Sequence, residues 1–167
     1  MESLERILHA ACFTPAGHGR WGIPIMIWGP PGVGKTARVR QVARRSQLPF
    51  VELPIGARGE GAFGVVPVPA PGTNGDSSLR LCYPPPDWTD TVAHGGIVFL
   101  DEISRAAPAL MPYLLGLTLD RIVGSHYLGD RVRVLAAGNP PESVGGWDLD
   151  AANANRLVHD DIGDDDL

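Results

Sequence analysis

The sequence predicts an α/β fold in which helices cover both faces of a five-stranded parallel sheet. The first observation is that short apolar segments alternate along the chain with segments of helical patterning. The second is that segments such as "IPIMIW" and "IVFLDE" contain nearly continuous apolar runs, which is typical of strands buried on both faces. The expected strands cover residues 23–28, 49–53, 97–102, 131–140 and 157–162.

The chain has the length of one domain. At 167 residues it can build a sizeable core but is too short for two domains of ordinary size. We expect the domain to span residues 1–162 and an acidic tail to follow at 163–167. Residues 1–159 balance at fourteen acidic and fourteen basic side chains, so the net charge of −5 lies in the final "DDIGDDDL". This neutral body argues against nucleic-acid binding, and we expect the tail to be solvated.

Composition argues against membrane, secreted and metal-stabilised proteins. Hydrophobic residues make up 44% of the chain and charged residues 20%, and no apolar run approaches the ~20 residues of a membrane span. Glu2 and Glu5 stand where a secretion signal would be basic, so we expect a cytoplasmic protein. Cys12 and Cys82 form no paired ligand motif, which predicts reduced thiols and no structural metal.

The expected helices follow from apolar spacing and from helix breakers. Apolar residues recur at helical spacing over residues 4–11, and residues 35–46 contain neither Gly nor Pro. A short helix is expected at 87–95, a longer one at 104–120 with an interruption around Pro112, and another at 147–156.

The segment between residues 54 and 86 is dense in Gly and Pro. We expect a long loop there, with short hairpins at 63–68 and 79–83. A loop of this length is usually functional, so Phe63 is expected either to face a partner or to anchor the loop to the core. "RIVGSHYL", at residues 121–128, predicts a turn or a hairpin.

A phosphate-binding loop is expected directly after the first strand. "GPPGVGKT" fits the pattern G-x-x-x-x-G-K-[ST] between an expected strand and an expected helix. Its backbone amides can point at a phosphate, Lys35 would neutralise the β- and γ-phosphates, and Thr36 would help to hold Mg²⁺. A chance Gly-rich turn is the alternative. The expected nucleotide-binding residues are Gly29, Pro30, Pro31, Gly32, Val33, Gly34, Lys35, Thr36 and Ala37.

Two carboxylates end the strand "IVFLDE". Hydrolysis of a nucleotide requires Mg²⁺ beside the phosphates and a water aligned with the γ-phosphate. We expect Asp101 to bind the metal, through Thr36 or a bridging water, and Glu102 to activate or orient the attacking water. The alternative is a strand that simply ends in solvent.

Asn139 follows the strand in "VRVLAAGNP". An amide at the tip of a buried strand can hydrogen-bond the attacking water or the γ-phosphate without adding charge. The alternative is a turn asparagine before Pro140, and the residue alone favours the turn.

Together the three segments resemble the Walker A, Walker B and sensor 1 motifs of AAA+ ATPases over about residues 4–162, and "LDEISRAAPALMPYLLGLTLD" is similar to the MoxR-like branch. The resemblance implies a P-loop NTPase three-layer sandwich that binds ATP or ADP with Mg²⁺. It also implies ATP hydrolysis coupled to remodelling or maturation of a client protein. A homo-oligomeric ring, hexameric in the full-length form, and a client with a von Willebrand A domain are further implications.

The family further implies an arginine finger that reaches a neighbouring subunit's γ-phosphate. "AANANRLVHD" matches its segment and makes Arg156 the candidate, with a surface arginine at a helix end as the alternative. Arg105 matches a family position near the subunit interface. The family's helical lid would follow the core, where this chain has only the tail, so adenine contacts are expected from the N-terminal helix and loop. Trp21 and Phe13 are candidates there, although a core position is favoured for both.

Three other functions remain open. The chain could be a nucleotide-dependent switch or scaffold with little hydrolysis, which a phosphate-release assay would distinguish. It could be a P-loop kinase, although Asn139 and Arg156 favour the AAA+ assignment. A nucleic-acid motor or restriction-type GTPase is disfavoured by the neutral body.

Overall fold

The computed structural model describes residues 3–64, 66–71, 78–140 and 157–161. The helix expected at 147–156, with Arg156, and the tail expected at 163–167 lie outside these residues. The helices are α1 (Ser3–Phe13), α2 (Lys35–Arg45) and α3 (Met111–Asp120). The strands are β1 (Ile25–Trp28), β2 (Phe50–Pro54), β3 (Val68–Pro71), β4 (Leu79–Cys82), β5 (Gly96–Asp101), β6 (Ile122–Val123), β7 (His126–Tyr127), β8 (Val132–Gly138) and β9 (Val158–Asp161).

The central sheet has five strands in the order β2-β5-β8-β1-β9. Every pair within it is parallel, so the predicted five-stranded parallel sheet is confirmed. The order places β5, β8 and β1 next to one another at the centre. The residues that follow these three strands therefore meet at one edge of the sheet.

The core consists of one apolar layer on each face of the sheet. On β1, Ile25 and Ile27 point to the face covered by α1 and α2, whereas Met26 points to the other face. The side chains of β5 alternate in the same way, with Phe99 on the α1–α2 face and Leu100 on the face covered by α3. Because both faces are covered, the strands read as apolar runs, which is why the sequence revealed them.

The segment expected as a helix at 104–120 is interrupted, but at residues 106–107 and not at Pro112. Helix α3 runs without a break from Met111 to Asp120, and Pro112 lies in its first turn. A proline is tolerated there because the N–H groups of the first turn have no partner within the helix. The residues just before α3 form two 3-10 turns, Ile103–Arg105 and Pro108–Leu110, and the helix expected at 87–95 is a 3-10 helix over Asp87–Val92.

In the described part of the Gly- and Pro-rich segment there is one hairpin and not the two that were expected. Strand β3 pairs antiparallel with β4, and 3-10 turns lie at Ile55–Ala57 and Glu60–Phe63. Phe63 is buried at 1% exposure within the core that α3 covers. Of the two expectations for this side chain, the core anchor is confirmed. The turn or hairpin expected at 121–128 is a short hairpin of β6 and β7.

Candidate functional site

A groove of about 330 Å³ lies at the carboxyl ends of β1, β5 and β8. The loop after β1 and the first turn of α2 form one wall, and residues at the ends of β5 and β8 form the other. Most of the residues expected from the sequence to act on a nucleotide are therefore brought together. The lining residues are Pro31, Gly32, Gly34, Lys35, Thr36, Ala37, Asp101, Glu102, Gly138 and Asn139.

The loop between β1 and α2 depends on two glycines with left-handed backbone conformations. Gly32 has φ 87° and Gly34 has φ 84°, values that only glycine adopts without strain. Gly34 is also the N-cap of α2, an 11-residue helix whose first free N–H groups border the groove. Such N–H groups and the helix dipole favour an anion at this position.

Lys35 is held at the floor of the loop by three oxygen atoms. Its Nζ donates hydrogen bonds to the carbonyl of Gly29 at 2.7 Å, the carbonyl of Pro30 at 3.0 Å and Oδ1 of Asn139 at 3.0 Å. Burial lowers the pKa of this ammonium group, and the carboxylates of Asp101 and Glu102 act in the opposite direction. The side chain is therefore a positioned cation in the wall of the groove.

Asp101 lies where a metal ligand is needed. Its Oδ2 accepts a hydrogen bond from the Thr36 hydroxyl at 2.6 Å, and its Oδ1 accepts one from the backbone N–H of Glu102 at 2.9 Å. No group of three or more His, Cys, Asp or Glu side chains able to hold a metal occurs among the described residues. One carboxylate and one hydroxyl suit Mg²⁺, which usually takes few protein ligands and completes its octahedron with phosphate oxygens and waters.

Glu102 has a strained backbone and a partner that sequence reasoning missed. Its φ of 55° and ψ of 39° lie in the left-handed region, which is uncommon for residues other than glycine. Nη1 of Arg105 lies 3.4 and 3.3 Å from the two carboxylate oxygens of Glu102. The i,i+3 spacing within "EISR" was the available signal. Both side chains are more than 40% exposed, so solvent screens this pair.

Asn139 is a buried residue directed at Lys35. Only 7% of it is exposed, and its backbone N–H donates to the Ser104 hydroxyl at 3.3 Å. The turn interpretation that the residue alone favoured does not explain the side chain, whose amide oxygen accepts the Lys35 hydrogen bond. Since β1 and β8 are neighbours, their carboxyl ends bring these two residues together.

Two residues singled out in the sequence, Trp21 and Phe13, lie elsewhere. Trp21 is 39% exposed and precedes β1, at the end of that strand away from the groove. Phe13 stacks on His9 with ring centroids 4.5 Å apart and lies beneath the Arg133 guanidinium. Neither Trp21 nor Phe13 lines the groove, and Arg156 lies outside the described residues.

Comparisons with known proteins point to one family. The model of the ATPase family associated with various cellular activities (AAA) matches residues 25–156. Lon protease 2 of Bacillus subtilis is 30% identical over 130 residues, which cover 59% of this chain and 21% of that protein. The chain therefore spans about a fifth of the length of this relative.

Solved structures show the same fold at low sequence identity. A candidate ATPase from Cytophaga hutchinsonii superposes with a TM-score of 0.57 at 20% identity, covering 96% of this chain and 46% of that one. NtrX from Brucella abortus gives 0.56 at 19% identity, covering 96% and 35%. The described part of the chain contains no helix both long and apolar enough to span a bilayer.

Proposed function

The chain belongs to the ATPase family associated with various cellular activities, whose P-loop NTPase fold it adopts, and from this premise we propose that it binds ATP with Mg²⁺ in the groove and hydrolyses the γ-phosphate bond. The observation that carries the proposal is the convergence of Lys35, the Thr36–Asp101 pair and Asn139 from three neighbouring strand ends. Strand ends at such a point are the usual ligand sites of open parallel sheets.

Binding would use the loop amides, the start of α2 and the Lys35 ammonium group. The carbonyls of Gly29 and Pro30 already fix the direction of the Lys35 side chain, so little side-chain entropy is lost when a phosphate arrives. Thr36 and Asp101 would hold Mg²⁺, which neutralises charge on the β- and γ-phosphate oxygens. The remaining metal positions would go to phosphate oxygens and water.

Hydrolysis would depend on Glu102 and Asn139. The Glu102 carboxylate, at the rim of the groove, would orient the attacking water and accept its proton. The Asn139 amide would contact that water or the γ-phosphate, because the phosphates would draw the Lys35 ammonium group toward themselves. Arg156 would complete the site from a neighbouring subunit, where such a guanidinium can raise the rate by roughly 10³–10⁵.

We further infer a client-remodelling role of the MoxR-like type. The resemblance of residues 100–120 to that branch supports it. The working assembly would be a homo-oligomeric ring in the cytoplasm, hexameric in the full-length form. The client would be a protein, and we favour one with a von Willebrand A domain. The core domain would span residues 1–162 and the acidic tail 163–167, with no role for nucleic acid or membrane.

The β3–β4 hairpin is the surface that we assign to the client. Register pairs Pro69 with Leu81 and Pro71 with Leu79, so these four side chains share one face. Leu79 is 76% exposed and Leu81 is 68% exposed. Pro69 and Pro71 lack backbone N–H groups, so β3 is a poor template for an added strand. Contact through the apolar side chains is therefore favoured.

A nucleotide-dependent switch with little intrinsic hydrolysis is the second candidate. The observation in its favour is the Glu102–Arg105 pair, which holds the proposed base on a cation instead of a water. In such a switch, ATP would change the assembly state of the chain while turnover stayed near background.

Three measurements on the purified chain test these assignments. Calorimetry with ATP, GTP and a non-hydrolysable ATP analogue, each with and without Mg²⁺, measures affinity and base preference. Phosphate release over a range of protein concentrations measures turnover, and light scattering with the analogue measures assembly. Mg²⁺-dependent ATP binding with turnover that rises with concentration supports the ATPase. Binding and assembly without turnover support the switch, and absence of ATP binding would overturn both.

A further inference from the structure

A second cavity lies at the opposite edge of the sheet from the nucleotide groove. Its volume is about 520 Å³, within the range of about 300–1,000 Å³ typical of small-molecule sites. Its lining residues precede β1, β2, β5 and β8, except for Arg133, which is the second residue of β8, so the cavity lies at the amino ends of these strands. Its apolar lining residues are Trp21, Leu48 and Pro49, and its basic lining residues, here called the basic wall, are His94, Arg131 and Arg133.

Arg133 is the fixed element of the basic wall. It is only 7% exposed, its Nε donates to the Cys12 carbonyl at 3.0 Å and its Nη1 to the Arg131 carbonyl at 2.6 Å. The guanidinium carbon lies 5.3 Å from the centre of the Phe13 ring. A Cβ on Gly22 would come within 2.6 Å of the Arg133 Cγ, so the backbone packs directly on this side chain. The guanidinium is thus held in one position.

The basic wall carries positive charge without a matching carboxylate. Among the described residues, no carboxylate forms an ion pair with Arg131 or Arg133, and the adjacent Asp130 pairs with Arg20 instead. Burial lowers the pKa of Arg133, the Cys12 thiol raises it to a smaller extent, and the nearby charge of Arg131 lowers it further. The repulsion between these two like charges would be reduced by an anion bound beside them in the cavity.

A structural role explains only part of this arrangement. Arg133 and Arg121 both donate to backbone carbonyls of the segment before β1, and so fasten that segment to the sheet. Arg131 makes no such side-chain bond among the described residues, although its side chain lines this cavity and the adjoining depression of about 370 Å³. Fastening the segment does not require the exposed Arg131 beside the buried Arg133.

We propose that this cavity is a second ligand site, which binds a small organic oxyanion, a phosphate or carboxylate attached to a planar apolar group. The guanidinium of the exposed Arg131 offers the paired donors that carboxylates and phosphates accept. Arg133, whose Nε and Nη1 already donate to backbone carbonyls, adds a fixed positive charge and its remaining Nη2. The half-exposed indole of Trp21 offers a surface for the planar group. The site is separate from the nucleotide groove, and both sites can be occupied at once because they lie at opposite ends of the same strands.

The test is an NMR titration that follows the indole N–H of Trp21, assigned with a Trp21→Phe variant. The probes are phenyl phosphate and benzoate, with benzyl alcohol as the uncharged control. We expect a saturable shift with at least one anionic probe and weakening of its binding by about tenfold in Arg131→Gln, because charged hydrogen bonds are lost. Arg58→Gln, an exposed arginine beyond the other end of β2, is the matched control and should bind as the wild type does.

The outcomes separate the ligand classes and can overturn the site. Stronger binding of phenyl phosphate identifies a phosphate ligand, and stronger binding of benzoate identifies a carboxylate. Equal shifts with benzyl alcohol, equal affinity in Arg131→Gln, or no Trp21 shift with either anion would overturn the proposal. Denaturant unfolding verifies that Arg131→Gln is folded, and His94→Ala provides a second change in the same wall. Since nothing in this test involves the groove, its result is independent of ATP binding.

Discussion

Lys35 is the only lysine in the chain, which otherwise uses arginine for positive charge. The ammonium group fits between the carbonyls of Gly29 and Pro30 and the amide of Asn139, whereas a planar guanidinium is too wide for that space. We therefore expect Lys35→Ala and Lys35→Arg to weaken ATP binding at least about 100-fold, as lost charge-assisted contacts imply. Calorimetry measures the affinity, and Arg44→Gln, an exposed change on the same helix, is the control. Unchanged affinity in Lys35→Ala would remove the phosphate-binding role of the loop.

Glu102 allows binding to be separated from turnover. The Glu102→Gln side chain keeps its size and loses the ability to accept a proton, while Asp101 and Thr36 remain in place to hold Mg²⁺. We expect ATP affinity within about twofold of the wild type and turnover lower by about 10²-fold or more, the range of general-base catalysis. Phosphate release in an assembled sample measures turnover. If Glu102→Gln hydrolyses ATP at the wild-type rate, the water is oriented by another group.

The same residue predicts a conflict between stability and function. Its left-handed backbone carries strain that glycine would not have. We expect Glu102→Gly to be as stable as the wild type or more stable, by up to about 1 kcal/mol, while turnover is lost. Urea unfolding measures the free energy. Glu102→Gln retains the strain and is the matched control, so a glycine variant less stable than the glutamine variant would show that the strain is absent.

At the scale of elements, the Gly- and Pro-rich segment has a buried anchor and an exposed hairpin. Phe63 lies in the core, and the neighbouring Ala62 carbonyl accepts a hydrogen bond from the Trp88 indole at 2.8 Å. We expect Phe63→Ala to lower the free energy of unfolding by about 3–5 kcal/mol. Leu81→Ser, on the exposed hairpin face, should change it by less than about 0.5 kcal/mol. Urea unfolding measures both, and similar losses in the two variants would contradict this division.

The elements that the sequence predicted are those whose signal is local. The strand runs around Ile25 and Phe99 are apolar because both faces of the sheet are covered, and α2 is bounded by Gly34 and by residues that break helices. The hairpin was mispredicted because pairing of β3 with β4 depends on residues about ten positions apart in a segment rich in Gly and Pro.

The site was predictable to the extent that it follows a motif. The contact of Thr36 with Asp101 and the position of Asn139 follow once the strand order is known. All three residues lie at the carboxyl ends of neighbouring strands. The i,i+3 spacing of Glu102 and Arg105 allowed their pair without establishing it, and the Lys35–Asn139 hydrogen bond depends on side-chain directions that no spacing rule gives. The interruption was expected at Pro112 because a proline is incompatible with a helical turn on its N-terminal side. The sequence did not show that α3 begins at Met111, where no such turn precedes the proline.

At the scale of the whole molecule, the groove lies at the three central strands of the sheet, and β9 lies beside them at one lateral edge. The last strand, β9, pairs only with β1 among the described strands and forms that edge. The described chain enters β9 from Leu157, at the amino end of the edge strand, whereas the groove lies at the carboxyl ends; in the sequence, Arg156 is the residue before Leu157. On this topology we propose that a residue preceding β9 contacts a second copy of the chain and not its own nucleotide.

Arg156 is accordingly expected to act on a neighbour's nucleotide. Arg156→Ala should bind ATP as the wild type does and lose about 10³-fold or more of its turnover in an assembled sample. Mixing Arg156→Ala with Glu102→Gln chains should restore part of the activity, because some sites then combine an intact Glu102 with an intact Arg156 from the adjacent chain. Phosphate release measures the recovery, and Arg58→Ala mixed with Glu102→Gln controls for dilution. If the two chains co-assemble by light scattering and no activity returns, Arg156 is not the arginine finger.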